Sequence, residues 1–339
     1  MSTLRLRLTS AVLETDPALL EAAAILRSGG LVAFPTETVY GLGANALDAA
    51  AVEKIFAAKQ RPHWDPVIVH VATVAAARAL THTWPPAAER LAAAFWPGPL
   101  TMLLPRTARV PDICTAGRAK VGLRMPSHPV ALALINAAGV PVAAPSANRF
   151  GHTSPTAASH VLADLDGRID AILDAGSCAV GVESTVLDPT TDPPIIYRPG
   201  GITAEQIRQM LGNVVVAERK ISDEAPPESL ESPGLGIRHY APRARVVLVE
   251  SEAELNHALA HESIAHRVGV LLPADWTALR PDVTVLSWGS WSDPGALARD
   301  LYHQLRALDD LGVEVIVCPL PPADGIGLAI RDRLRKAAK

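Results

Sequence analysis

From residue 217 to residue 243 the sequence reads AERKISDEAPPESLESPGLGIRHYAPR, dense in Pro, Glu and Ser and without an apolar period. Text of this kind has no face to bury and reads as a linker. It divides the 339 residues into two stretches that each alternate strand and helix signals, so the expectation is a domain over 1–216, a linker over 217–243 and a smaller domain over 244–339. No internal repeat is visible.

The charge splits unevenly across this linker. Residues 1–216 hold 17 basic and 17 acidic side chains, leaving 14 and 18 of the chain's 31 and 35 for the rest. The whole net charge of -4 therefore lies after residue 216, and any anion-binding cluster in the first domain must be local. Such a balance argues against a whole-surface grip on nucleic acid or membrane. Cys114, Cys178 and Cys318 lie far apart with no CxxC pair, which excludes a disulfide framework or a zinc site of the usual spacing and fits a reducing cytoplasm. The start, MSTLRLRLTS, lacks the apolar core of a signal peptide, and no apolar run approaches the roughly 18 residues of a membrane span. The expectation is a soluble cytoplasmic protein.

Before the linker, PALLEAAAILRSG reads as an amphipathic helix closed by Gly29, followed by the strand LVAF. Asp48 can cap a helix AAAVEKIFAAK that carries Val52, Ile55, Phe56 and Lys59 on one face. PVIVHVA reads as a strand with Val67, Val69 and Val71 on one face and Ile68 and His70 on the other. Further strands fit KVGLRM, VPVAA, AILDA, STVLD and IIYR; helices fit residues 87–95, PVALALINAAG and AASHVLADL. After the linker, RVVLVE, RVGVLLP, VTVLSW and VEVIVCP alternate with helical text such as PGALARDLYHQLRALDDLG. Both parts read as α/β, the second as a small parallel sheet with covering helices and no GxGxxG.

Polar side chains collect at element ends. FPTETVYGLGANA leaves its strand through Pro35 and presents Thr36, Glu37, Thr38 and Tyr40 as a loop before Gly41-Leu42-Gly43. KQRP puts Lys59 and Arg61 at a helix exit read as exposed, VGLRMP places Arg124 before the chain-breaking Pro126, and APSANRFGHTSPT packs Ser146, Asn148, Thr153, Ser154 and Thr156 into one loop. GVESTVLD and YRPGG add Ser184, Thr185 and Arg198. Taken singly, each has an ordinary reading: Lys59 and Arg61 as a favourable pair on a helix dipole, SAN as a turn, His70 as a half-buried strand residue. Taken together, Lys59, Arg61, Arg124 and Arg198 are four cations, about the charge needed to hold a triphosphate by charge-assisted bonds. The usual GxxxxGK[ST] cradle is absent.

FPTETVYGLG, the K-x-R of KQR, IVHV, FWPGPLT, LRMP, the S-x-N of PSAN, GVEST and RPG follow one another in an order that resembles the threonylcarbamoyl-AMP synthase family. The likeness covers residues from about 12 to 215. SPGLGIRHYAP and the second domain resemble the family's longer, two-domain form. The resemblance implies a YrdC-like fold, a twisted and largely open mixed sheet with helices and a concave, positively lined face, followed by a smaller Rossmann-like domain. It implies condensation of L-threonine, bicarbonate or CO2, and ATP into threonylcarbamoyl-adenylate with release of pyrophosphate. The product would pass to a partner transferase that modifies tRNA next to the anticodon. By the same resemblance Thr36, His70, Arg124 and Ser184 or Thr185 would form the threonine pocket. Lys59, Arg61, Ser146, Asn148, Ser154 and Arg198 would hold ATP, with Thr115 near it and Mg2+ carried mainly by the phosphates. Lys59 and Arg61 are the residues expected to matter most for catalysis. His239 and Tyr240 would close over the nucleotide, with 232–242 acting as a lid. The chain departs from the family at Asp65, where Asn is commoner, and in GLGIRHYAP, which lacks a Met and one basic residue. Hydrogenase-maturation carbamoyltransferases contain a similar domain but carry an acylphosphatase module and paired CxxC motifs, neither of which is present. An RNA-binding module, or a weak direct RNA contact, is the reading from a different class, and the balanced charge of residues 1–216 weighs against it.

Overall fold

A computed structural model describes residues 2–10, 12–217, 239–263 and 265–339. Most of the linker, and with it Arg238 and the glycines of the expected lid, lies outside the described residues.

The first part begins with β1 (Leu4–Arg7), α1 (Pro17–Arg27), β2 (Val32–Pro35), β3 (Tyr40–Asn45) and α2 (Ala49–Lys59). It continues through β4 (Ile68–His70), α3 (Val74–Arg78), α4 (Pro86–Phe95), β5 (Leu100–Pro105), α5 (Asp112–Thr115) and β6 (Lys120–Arg124). Then come α6 (Pro129–Ala138), β7 (Val142–Ala143), α7 (Ala158–Leu165), β8 (Ala171–Asp174), β9 (Thr185–Asp188), β10 (Ile195–Arg198), α8 (Ala204–Leu211) and β11 (Val215–Val216). These strands form one mixed sheet in the order β1-β8-β2-β3-β7-β4-β6-β5-β9-β10-β11.

Capping sets where the helices start. Asp16 accepts from the backbone N–H groups of Ala18 and Leu19 at the head of α1, and Asp48 accepts from Ala50 and Ala51 at the head of α2. Val52, Ile55 and Phe56 of the stripe are buried, as the spacing predicts. Each of its three apolar members contributes about 1.5–3 kcal/mol. Helices α2 and α4 cover one face of the sheet with the large apolar cluster, and α1 and α6 cover the other around Val32 and Phe34.

One local expectation is overturned. Tyr40 to Asn45 is a strand, antiparallel to β2 with Pro35 opposite Tyr40 and Val32 opposite Gly43, so the bend is confined to residues 36–39. Gly43 has a packing reason to lack a side chain: a Cβ there would meet the Phe34 ring and Val142 at 2.8 Å.

The second sheet comprises β12 (Arg245–Val249), β13 (Val268–Pro273), β14 (Thr284–Gly289) and β15 (Val315–Pro319), all parallel, with α9 (Glu252–His261), α10 (Pro294–Asp310) and α11 (Gly327–Ala337). Its order, β12-β15-β13-β14, inserts the last strand between the first two. The two parts share an apolar cluster that joins Val39, Val182 and Tyr240 to Leu297, Leu301, Tyr302, Ile330 and Leu334. Arg306 of α10 adds a 2.8 Å ion pair to Asp164 and a bond to the Thr153 carbonyl. No described helix is long and apolar enough to cross a membrane.

Candidate active site

A pocket opens where the β2–β3 hairpin, β4, β6, the loop after β7, the entry to β9, the end of β10 and residues 239–240 converge, enclosing about 510 Å³ when the solvent at its mouth is included. Thr36, Arg61, His70, Arg124, Ser146, Ser184, Arg198, His239 and Tyr240 line it. A larger open groove of about 1350 Å³ between α7, α10 and residues 149–153 carries matched Arg and Asp side chains and none of the sequence-predicted site residues.

The hairpin tip is held by its own hydroxyl. Thr36 Oγ1 accepts from the N–H of Thr38 and of Val39, donates to the Val39 carbonyl at 2.7 Å, and lies 2.8 Å from the Thr38 hydroxyl. The polar loop therefore reaches first for itself, and Thr38 is the member that accepts from Arg124, at 3.0 Å. Glu37 pairs with the same guanidinium at 2.7 Å and accepts from the Ser127 N–H. His70 lies beside Arg124 in the β4–β6 register, and the Nδ1 of its buried ring has no protein partner. Burial, and then Arg124, push the His70 imidazole down to about 3, so it is neutral at physiological pH.

Lys59 and Arg61 correct the reading of an exposed helix end: they are only 1% and 6% exposed. The backbone folds the helix exit inward through Gln60, which adopts a left-handed conformation. Lys59 lies behind the cavity wall, where its ammonium bonds the Ser146 and Asn148 carbonyls. Burial, reinforced by Arg61, drives its pKa well below the usual lysine range. Arg61 lines the cavity, donates to the Asp65 and Pro66 carbonyls, and pairs with the Asp65 carboxylate at 3.0 Å.

On the opposite wall Arg198 donates to the Ser184 carbonyl through Nε and Nη2 at 3.1 and 3.0 Å, and the Ser184 hydroxyl lies 2.8 Å from that of Thr101. Thr185 turns away and bonds Ile202, so of the two alternatives Ser184 is the one on the cavity. Asn148 lies behind the wall, bonding the Arg149 and His152 carbonyls, and Ser154 donates to Glu183. Thr115 is placed elsewhere, in a small crevice beside Pro66, Cys114 and Gly122.

His239 packs edge-on against Phe150 and Tyr240, and burial among Arg61, Lys336, Lys59 and Arg198 keeps its imidazole neutral. Burial raises the Tyr240 phenol well above its ordinary range. Sequence reasoning missed Thr38 and Glu183, though both sit inside quoted motifs. It also missed Tyr302 and Arg333, for which no local signal exists. Cys178 is buried with its thiol pushed up to about 12, and the Ser184 hydroxyl is engaged by Thr101 and Arg198, so neither is set up as a nucleophile. What the cavity offers is three guanidinium groups, neutral imidazoles and hydroxyls on walls of largely buried side chains. Fold and site together define a two-domain α/β protein with a cation-lined cavity whose chemistry suits an anionic ligand.

Comparison with known proteins agrees. A family model described as telomere recombination matches residues 24–200, and a model of the threonylcarbamoyl-AMP synthase C-terminal domain matches residues 202–339. The threonylcarbamoyl-AMP synthase of Bacillus subtilis (strain 168) is 45% identical over 326 residues, covering 95% of this chain and 93% of its own. That of Pyrococcus abyssi (strain GE5 / Orsay) is 43% identical over 323 residues, covering 94% and 93%. The crystal structure of P. abyssi Sua5 complexed with L-threonine superposes with a TM-score of 0.89 at 40% identity, covering 100% of this chain and 98% of that one. The chain belongs to the threonylcarbamoyl-AMP synthase family, in its long two-domain form.

Proposed function

We propose that this chain condenses L-threonine, CO2 or bicarbonate, and ATP into L-threonylcarbamoyladenylate and pyrophosphate. The convergence of Arg61, Arg124 and Arg198 on one cavity carries the reading. Arg124 suits the threonine carboxylate through its planar fork, with His70 and Thr38 near enough to contribute to the same pocket. Arg61, Arg198, Ser146 and His239 face the space assigned to ATP, with Lys59, Asn148 and Ser154 supporting the walls. The amine of threonine adds to CO2, forming an N–C bond and releasing a proton. A carbamate oxygen then attacks the α-phosphorus, and the bond to pyrophosphate breaks. No protein nucleophile takes part. The guanidinium groups stabilise charge that grows on the leaving pyrophosphate, and exclusion of water protects the labile carbamate.

Mg2+ enters this reading as a companion of ATP, neutralising charge on the phosphates when bound. The carboxylates near the cavity are engaged elsewhere: Glu37 with Arg124, Asp65 with Arg61, and Glu183 with Arg333. Among the described residues no cluster of His, Cys, Asp and Glu is arranged as a metal site, so the ion would rest on the nucleotide itself. The product would pass to a tRNA threonylcarbamoyl transferase that acts next to the anticodon. Pyrophosphate release from ATP tests the reaction. Release that requires both threonine and bicarbonate is expected, and release indifferent to threonine would overturn it.

A further inference from the structure

Glu183 lines the catalytic cavity, yet two of its three side-chain partners belong to the second domain. Its Oε1 accepts from Ser154 Oγ at 2.6 Å, both oxygens accept from the Tyr302 hydroxyl at 3.2 and 3.0 Å, and Oε2 accepts from Arg333 Nε at 2.7 Å. All four side chains are buried. We propose that Arg333 and Tyr302 make Glu183 a positioning residue of the active site, holding its carboxylate in a neutralised pair so that the second domain sets the nucleotide side of the cavity. This rests on the assignment of that cavity to ATP.

The stretch around Glu183 is clamped on every side. Val180 and Gly181 donate their N–H groups to the Glu37 and Thr38 carbonyls, tying it to the hairpin tip. The Ser184 carbonyl accepts from Arg198, and the Glu183 carbonyl accepts from the Gly201 N–H. Moving the carboxylate would thus shift Ser184, Arg198 and Thr38 together. Charge gives the second half of the argument. A carboxylate on the wall of a cavity meant for a polyanion opposes binding unless a cation is locked to it. Burial alone would raise the Glu183 carboxyl, but Arg333 and Arg198, with the Ser154 bond, hold it below the ordinary glutamate range. It stays ionised, and Arg333 is the cation paired to it directly. Arg333 is itself fixed by Asp332 and by the face of Tyr240, whose ring centre is 5.1 Å from the guanidinium carbon.

The test is equilibrium binding of ATP to the full chain in three variants, Arg333→Met, Glu183→Gln and the two combined, with thermal unfolding measured alongside. Arg333→Met is expected to weaken ATP binding about tenfold or more by removing the ion-pair partner of a buried carboxylate. Glu183→Gln in the same chain is expected to restore affinity to within about threefold of the unaltered protein, because the repelling charge is gone. A purely structural role would make the two losses add. Unchanged affinity in Arg333→Met, or a double variant no better than the single, overturns the inference. If Arg333→Met does not fold, Tyr302→Phe removes one hydrogen bond while keeping the ring. A several-fold rise in the Kd for ATP then supports the inference, and none overturns it. An unaltered chain that binds no ATP would overturn the functional reading as well, so the two failures are distinguishable.

Discussion

Lys59 sets its ammonium 2.5 Å from the Ser146 carbonyl and also on that of Asn148, so the end of α2 holds the loop that follows β7. Its neighbour Arg61 holds Asp65 in the same buried corner. Truncating either therefore does more than remove a charge from the site. Lys59→Ala is expected to lower synthase activity severely and to cost about 1–3 kcal/mol, because two carbonyls lose their donor. Arg61→Ala is expected to cost about 1–3 kcal/mol, since the Asp65 and Pro66 carbonyls lose a donor and the ion pair to the Asp65 carboxylate is removed. Denaturant unfolding beside a pyrophosphate assay checks both. Stability unchanged in either variant would contradict the buried geometry.

His70 gives a pH signature. Its folded-state pKa, about 3, lies below the value near 6.5 of an unfolded chain. Between those limits the unfolded state binds a proton that the native state refuses. The unfolded state is thereby favoured as pH falls from 6.5 toward 3, and no dependence arises from this group above about 7. His70→Gln removes that linkage, so the stability difference between the two proteins should change by up to about 1.4 kcal/mol per pH unit across the window. Unfolding titrations from pH 4 to 8 measure it. A flat difference would mean that His70 takes up its proton equally in the folded and unfolded states.

How much of this was legible depends on sequence distance. The α2 core stripe reads directly, because Val52, Ile55 and Phe56 recur at helical spacing and Asp48 marks the start. The β2–β3 hairpin does not, because Gly41 and Gly43 carry no strand signal, and at Gly43 the reason to be glycine is tertiary, the Phe34 ring and Val142 leaving no room for a Cβ. Motif order singles out Arg61, Arg124, Ser146, Ser184 and Arg198, each at the end of a recognisable element, and these line one cavity. Burial of the K-x-R pair was not legible, because the fold back through Gln60 and the loop laid over it are tertiary events. Glu183 is the extreme case, with Tyr302 and Arg333 lying 119 and 150 positions further along the chain.

Amino-acid choice tests the threonine pocket. His70 Nδ1 and Arg124 Nε are buried polar atoms without a protein partner, and both residues line the cavity. A substrate that satisfies such groups is distinguished from an isostere that leaves them unpaired by about 10⁴ or more in kcat/KM. Valine should hardly react, and serine, lacking the methyl, should react poorly. Comparable turnover of valine would remove the β-hydroxyl from the recognition scheme.

Gly181 tests whether the second domain shapes the site through the wall at 180–184. It sits at φ +81, a left-handed conformation that side chains rarely adopt, directly beneath the backbone of α10. A Cβ there would fall 2.3 Å from both the Ala298 carbonyl oxygen and the Arg299 Cα. These are helix backbone atoms and cannot rotate aside, so the helix must move or the loop must. The loop is tied to the hairpin tip through the bond from Gly181 N–H to the Thr38 carbonyl, and Thr38 in turn accepts from Arg124. Gly181→Ala is therefore expected to cost about 2 kcal/mol or more from strain and overpacking. It should also raise the KM for threonine, although residue 181 lies outside the cavity lining. Unfolding and steady-state kinetics on the same preparation separate the two effects. A variant that loses stability but keeps the KM for threonine would show that α10 yields and the cavity does not, and the second domain would then not act on threonine through this contact.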